Sequence, residues 1–96
     1  MTYKLRLTQE AKEIIVRDFL WYQEKSEGLG NRFITEIDAM MEYIRHHPHH
    51  FQLKYKYFRE AVLKVFPYVI IYSIKANEIV IYMVFPTKID PTKKPG

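Results

Sequence analysis

The sequence predicts an α+β fold: a helical hairpin packed on one face of a small antiparallel-rich sheet, in the order β-α-α-β-β-β. Three observations carry this. Residues 3–7 alternate strictly between apolar and polar, the pattern of a half-buried strand. Two stretches with apolar residues at helical spacing follow, parted only by a glycine-containing break. The second half holds β-branched and aromatic runs joined by short turns. Helices grouped ahead of a strand meander favour α+β over a doubly wound sheet.

In the first strand Tyr3, Leu5 and Leu7 face one way, and Lys4 and Arg6 the other. Thr8 is placed to cap a helix, with Glu10 in the first turn where the dipole favours an anion. Ala11, Ile15, Phe19 and Tyr22 then recur at helical spacing and predict a helix over about 9–25. Ser26-Glu27-Gly28-Leu29-Gly30-Asn31 breaks it, with Asn31 as the candidate cap of the next helix. Phe33, Ile37, Met40, Met41 and Ile44 give that second helix its apolar stripe, over about 31–46. Pro48 ends it, because the residue before a proline is pushed out of the helical region. Residues 49–57 read as a loop.

Three strands complete the chain. Ala61, Leu63 and Val65 alternate with Glu60, Val62 and Lys64. The runs 68–74 and 79–85 meet at Lys75-Ala76-Asn77-Glu78, a tight hairpin. Both runs are apolar on both faces, which marks central strands. From Pro86 the chain holds three prolines, three lysines and a terminal glycine. Residues 1–86 are therefore expected to form a single domain, and residues 87–96 a C-terminal tail.

Composition narrows the function classes. The chain has 96 residues, 48% hydrophobic and 16% aromatic, enough apolar mass for one small core and too much for disorder. With no cysteine there is no disulfide, thiolate metal site or cysteine nucleophile. The longest apolar run, Ile79–Phe85, is far below the ~20 residues of a membrane helix, and Met1–Arg6 shows no signal-peptide core. A soluble, cytoplasmic protein is expected. The net charge of +4, from 15 basic and 11 acidic residues, admits nucleic acid or an acidic protein as partner and demands neither.

Local clusters are mostly bland. His46-His47-Pro48-His49-His50 diverges around a helix end and reads as solvated, so neither a metal nor a cofactor is expected. Gly28-Leu29-Gly30 lacks a preceding strand and a third glycine, and is a turn. The two serines, Ser26 and Ser73, have no histidine tied to them. Lys54, Tyr55 and Lys56 open a stretch that interleaves cations with aromatics, the most nucleic-acid-like feature of the chain.

The order of elements and several short stretches resemble the RelE/ParE family of toxins from type II toxin–antitoxin, or plasmid stabilisation, systems. The stretches are Trp21-Tyr22-Gln23-Glu24, Gly28-Leu29-Gly30-Asn31-Arg32-Phe33, Pro48, Arg59, Phe66-Pro67-Tyr68, Tyr72 and Asp90-Pro91. The resemblance covers roughly residues 3–91. It implies a cognate antitoxin as partner and growth arrest as outcome. RelE-type members cleave mRNA on the ribosome; ParE-type members poison DNA gyrase by binding it.

The resemblance also says where nuclease cations would stand. Aligned on Pro67-Tyr68 and Tyr72, those positions carry Glu60, Val62 and Val69, and the last falls near Lys88 or Ile89. Cleavage needs proton transfer and cations at the phosphate. Lys88 is the one remnant of that set, so the ParE-like branch is expected, with protein binding rather than catalysis. Arg59, Lys64, Tyr68, Tyr72 and Lys88 are the candidate residues for binding antitoxin or target. Two helices cover one face of a sheet that is apolar on both, which predicts an exposed patch and self-association of the toxin alone.

Overall fold

The computed structural model describes residues 3–87. Strand β1 (Lys4–Leu7) leads into helix α1 (Gln9–Lys25) and helix α2 (Leu29–His46). Strands β2 (Leu53–Tyr55), β3 (Phe58–Val62), β4 (Tyr68–Lys75) and β5 (Glu78–Pro86) follow. They form one sheet in the order β1-β5-β4-β3-β2. Neighbours from β2 to β5 are antiparallel, while β1 lies parallel to β5. This is the expected α+β arrangement with one strand more.

Thr8 fastens the start of the fold. Its hydroxyl accepts from the Ala11 amide at 3.1 Å, capping α1, and donates to the Tyr82 carbonyl at 2.9 Å, tying the cap to β5. One face of the sheet then carries the helices. Ala11, Phe33, Ile37 and Ile44 pack from the helices onto Ala61, Ile70, Tyr72, Ile79, Ile81 and Val84, all buried. Ile15, Phe19 and Met41 pack at the margin of this cluster. Full burial of the Ile, Val and Phe side chains among them stabilises by about 1.5–3 kcal/mol each.

Three local expectations change. α2 starts at Leu29 rather than Asn31, with Gly28 in the left-handed region at φ 82°. The cap comes from α1: Gln23 Oε1 accepts the amides of Gly30 at 2.7 Å and Asn31 at 3.3 Å. Second, residues 53–55, expected as loop, form β2, which returns through a turn at Lys56 (φ 52°) to pair with β3. Third, β3 stops at Val62, although the alternation runs on to Val65. The amides of Lys64, Val65 and Phe66 turn away from the sheet to the Glu36 carboxylate of α2, at 3.0, 2.8 and 2.9 Å.

Candidate partner-binding surface

Because a strand alternates its side chains, the core residues fix what the other sheet face carries. Tyr72 and Ile70 point to the helices, so Val69, Ile71 and Ser73 point away from them. Register aligns these residues with their neighbours. Val62, Val69 and Phe85 form one row across β3, β4 and β5, and Glu60, Ile71 and Met83 the next. The positions where the resemblance would place nuclease cations, Glu60, Val62 and Val69, thus meet on one open face. There Glu60 and Val62 make an acidic and apolar surface, with Val69 buried beside Val62.

That face is narrower than expected. Val69 and Val80 are buried although no helix covers them. Tyr82 lies in a register shift of β5 and reaches over β4 to Phe58, ring centroids 5.0 Å apart. The apolar exposure is left at one end, with Val62 58% and Phe85 38% exposed.

Beside that end runs a groove along the flank of α2. One segment, of about 410 Å³, is lined by Glu36, Ala39, Met40, Tyr43, His50, Phe51, Val62 and Lys64. A second, of about 350 Å³, shares Glu36 and Ala39 and continues past Arg32 to Val65 and Phe66. Glu36 stands between them. Partial burial disfavours its charge, but the three amides from Val65, Phe66 and Lys64 outweigh that and hold the carboxyl below its ordinary pKa.

The sequence candidates separate in space. Lys64 is exposed at the groove rim. Arg59 is half-buried on the helix side, its guanidinium donating to the Phe51 carbonyl at 2.6 Å. Tyr68 and Tyr72 are 5% and 0% exposed. Their hydroxyls donate to Asp18 Oδ2 at 2.5 Å and to the Pro48 carbonyl at 2.7 Å. As residues that would touch a partner they are corrected: both belong to the core, because their strand positions face the helices. Burial, opposed by the Arg59 charge, pushes the Tyr72 phenol up to about 12. Lys54, Tyr55 and Lys56 are exposed at the β2–β3 turn, with Lys56 Nζ 5.4 Å from the Tyr55 ring centre. Lys88 lies outside the described residues.

Two of the four histidines hydrogen-bond to nearby side chains. His46 Nε2 meets Glu42 at 3.1 Å, and His50 Nδ1 meets the Tyr43 hydroxyl at 3.2 Å. Among the described residues no group of three or more His, Cys, Asp or Glu could hold a metal ion. Nor is any helix there long and apolar enough to cross a membrane.

Sequence reasoning missed Glu36 and Gln23. Each is a polar residue on a helix, and only the fold shows that its side chain binds the backbone of another element.

A helical hairpin on a mixed sheet, with an apolar open edge beside a groove, defines a small α+β domain. The family model for the ParE toxin of the type II toxin–antitoxin system parDE matches residues 5–91, and the chain belongs to that family. Among solved structures it is similar to a chain of the chromosomal ParDE toxin–antitoxin system from P. aeruginosa. That likeness has a TM-score of 0.76 at 14% identity and covers 91% of this chain and 98% of the other. A chain of the archaeal RelE–RelB complex from Pyrococcus horikoshii OT3 also aligns, with a TM-score of 0.49 at 18% identity, covering 91% of this chain and 97% of that one. A search of curated protein sequences finds no match.

Proposed function

We propose that this chain is a growth-arresting toxin that acts by binding a protein target, DNA gyrase, in the cytoplasm, and that a cognate antitoxin encoded beside it neutralises it. The observation that carries this is the open face. Where an RNA-cleaving relative would gather cations, Glu60 and the exposed Val62 present a carboxylate and an apolar side chain, with Val69 buried beside Val62. A carboxylate there repels phosphate, whereas exposed Val62 and Phe85 suit a protein. The antitoxin segment is amphipathic and acidic. Its apolar side enters the α2 groove, and its carboxylates meet Lys64 and Arg32 at the rim.

Induced expression tests the target. Gyrase-dependent DNA breaks with intact mRNA are expected. Ribosome-dependent mRNA cleavage without such breaks would overturn the reading in favour of a RelE-type nuclease. Growth unaffected by a folded protein that still binds the neighbouring gene product would make it a module that only binds antitoxin. Light scattering with and without that product tests the partner: self-association of the isolated toxin, converted to a defined complex, is expected.

A further inference from the structure

The geometry points to a second site on the same sheet face: the end that carries Tyr82 binds a single-stranded nucleic acid segment. Register gathers the charge. Lys4, Glu78 and Lys75 form one row across β1, β5 and β4, and Arg6, Val80 and Ser73 the next. Lys4, Arg6 and Lys75 are all exposed, and the carboxylate among them, Glu78, is held by Arg6 at 3.4 Å. Three cations against Glu78, with Glu60 one row further along β3, leave this end with a net positive charge, in contrast to the apolar end at Val62 and Phe85.

Aromatic rings run between the charges. Tyr57 lies 4.7 Å from Phe58, and Phe58 5.0 Å from Tyr82, centre to centre. The run starts at the β2–β3 turn, where Lys54 and Lys56 stand, and ends beside Lys75. Tyr57 is 57% exposed, so the outermost ring is free to stack. Ser73 and the charges of Lys75 and Arg6 lower the Tyr82 phenol below its usual range, against the effect of burial.

Rings flanked by cations at both ends fit unpaired bases on a phosphate backbone, since every base offers a π-face and every phosphate a charge. A peptide would use the apolar anchor at the other end of the face. A duplex keeps its bases stacked on each other and away from the rings. The inference goes beyond the toxin reading and does not depend on which protein the toxin targets.

Fluorescence anisotropy of the purified full chain with labelled oligothymidine and oligouridine of about 12 nucleotides, a length that spans such a platform, tests it. Micromolar binding is expected. Arg6→Gln with Lys75→Gln should weaken it about tenfold or more, and Tyr57→Ala at least about threefold, as expected for lost phosphate and stacking contacts. Lys12→Gln with Lys25→Gln, on α1, removes the same charge from the other side of the molecule and should change it less than about twofold. No binding would overturn the inference. So would equal losses from the two charge-matched pairs, or a duplex of the same length bound as tightly, since either would mean general attraction of a basic protein for a polyanion.

Discussion

The hydroxyl of Tyr68 in β4 donates to the carboxylate of Asp18 in α1 at 2.5 Å, joining helix and sheet across 50 positions of sequence. Both side chains are largely buried, and Arg17 Nε holds the other carboxylate oxygen at 2.9 Å. A buried carboxylate is tolerated only when its oxygens are engaged. Replacing its partner therefore costs more than the hydrogen bond is worth.

Tyr68→Phe should lower stability by about 1–3 kcal/mol at pH 7, because Asp18 then stays buried with one oxygen unsatisfied. The pH dependence gives a second readout. Burial and the bonds to Asp18 and Tyr22 push the Tyr68 phenol far above its ordinary value of 10.0. A raised folded-state value contributes stability that is complete below about pH 10 and is lost as pH rises further, while the unfolded chain ionises. Denaturant melts across that range should show a steep alkaline loss in the native chain and a shallower one in Tyr68→Phe. Identical alkaline profiles would refute this.

Glu36 should behave in the opposite sense. Its folded value is lowered, so its contribution is present above the ordinary carboxylate pKa and fades as pH falls through the folded value. Glu36→Gln keeps the shape but weakens acceptance of three amides, and should cost about 1–3 kcal/mol at pH 7 and much less in acid. Hydrogen exchange localises the effect: the amides of Lys64, Val65 and Phe66 should exchange faster, and those of β4 should not.

The helical hairpin has a steric test. A Cβ on Gly30 would lie 2.5 Å from Gln23 Cγ and 2.7 Å from the Phe19 carbonyl oxygen. The side chain can move, but the backbone oxygen cannot without parting the helices. Gly30→Ala should destabilise by about 1–3 kcal/mol from overpacking. At Gly28 the space is open and only the positive φ objects, so Gly28→Ala should cost about 1–2 kcal/mol. Thermal melts of the two variants decide the order.

For function, Val62→Asp is the informative change. Val62 is 58% exposed, so the fold should tolerate it, while the apolar end of the open face gains a charge. If that face binds a protein, growth arrest should fall at least about tenfold, the effect of ~1.4 kcal/mol or more at a desolvated contact. Full toxicity in this variant, with unchanged melting, would place the target-binding surface elsewhere.

The sequence by itself determined β1, the two helices, β4 and β5 with their periods, but not β2 or the end of β3. Alternation at residues 3–7, helical spacing from Ala11 to Tyr22 and from Phe33 to Ile44, and the β-branched runs each report a local burial pattern, and burial pattern is what periodicity encodes. It also determined the family resemblance and the loss of cations at Glu60, Val62 and Val69. Tertiary structure alone decided which side of a strand meets the helices. That choice turned Tyr68 and Tyr72 from candidate contacts into core, and gathered Glu60, Val62 and Val69 on one face. It alone decided that Gln23 caps α2 and that Glu36 ends β3. A side chain bound to the backbone of a distant segment satisfies polar groups that no local spacing reveals, so such contacts leave no periodic trace in the sequence.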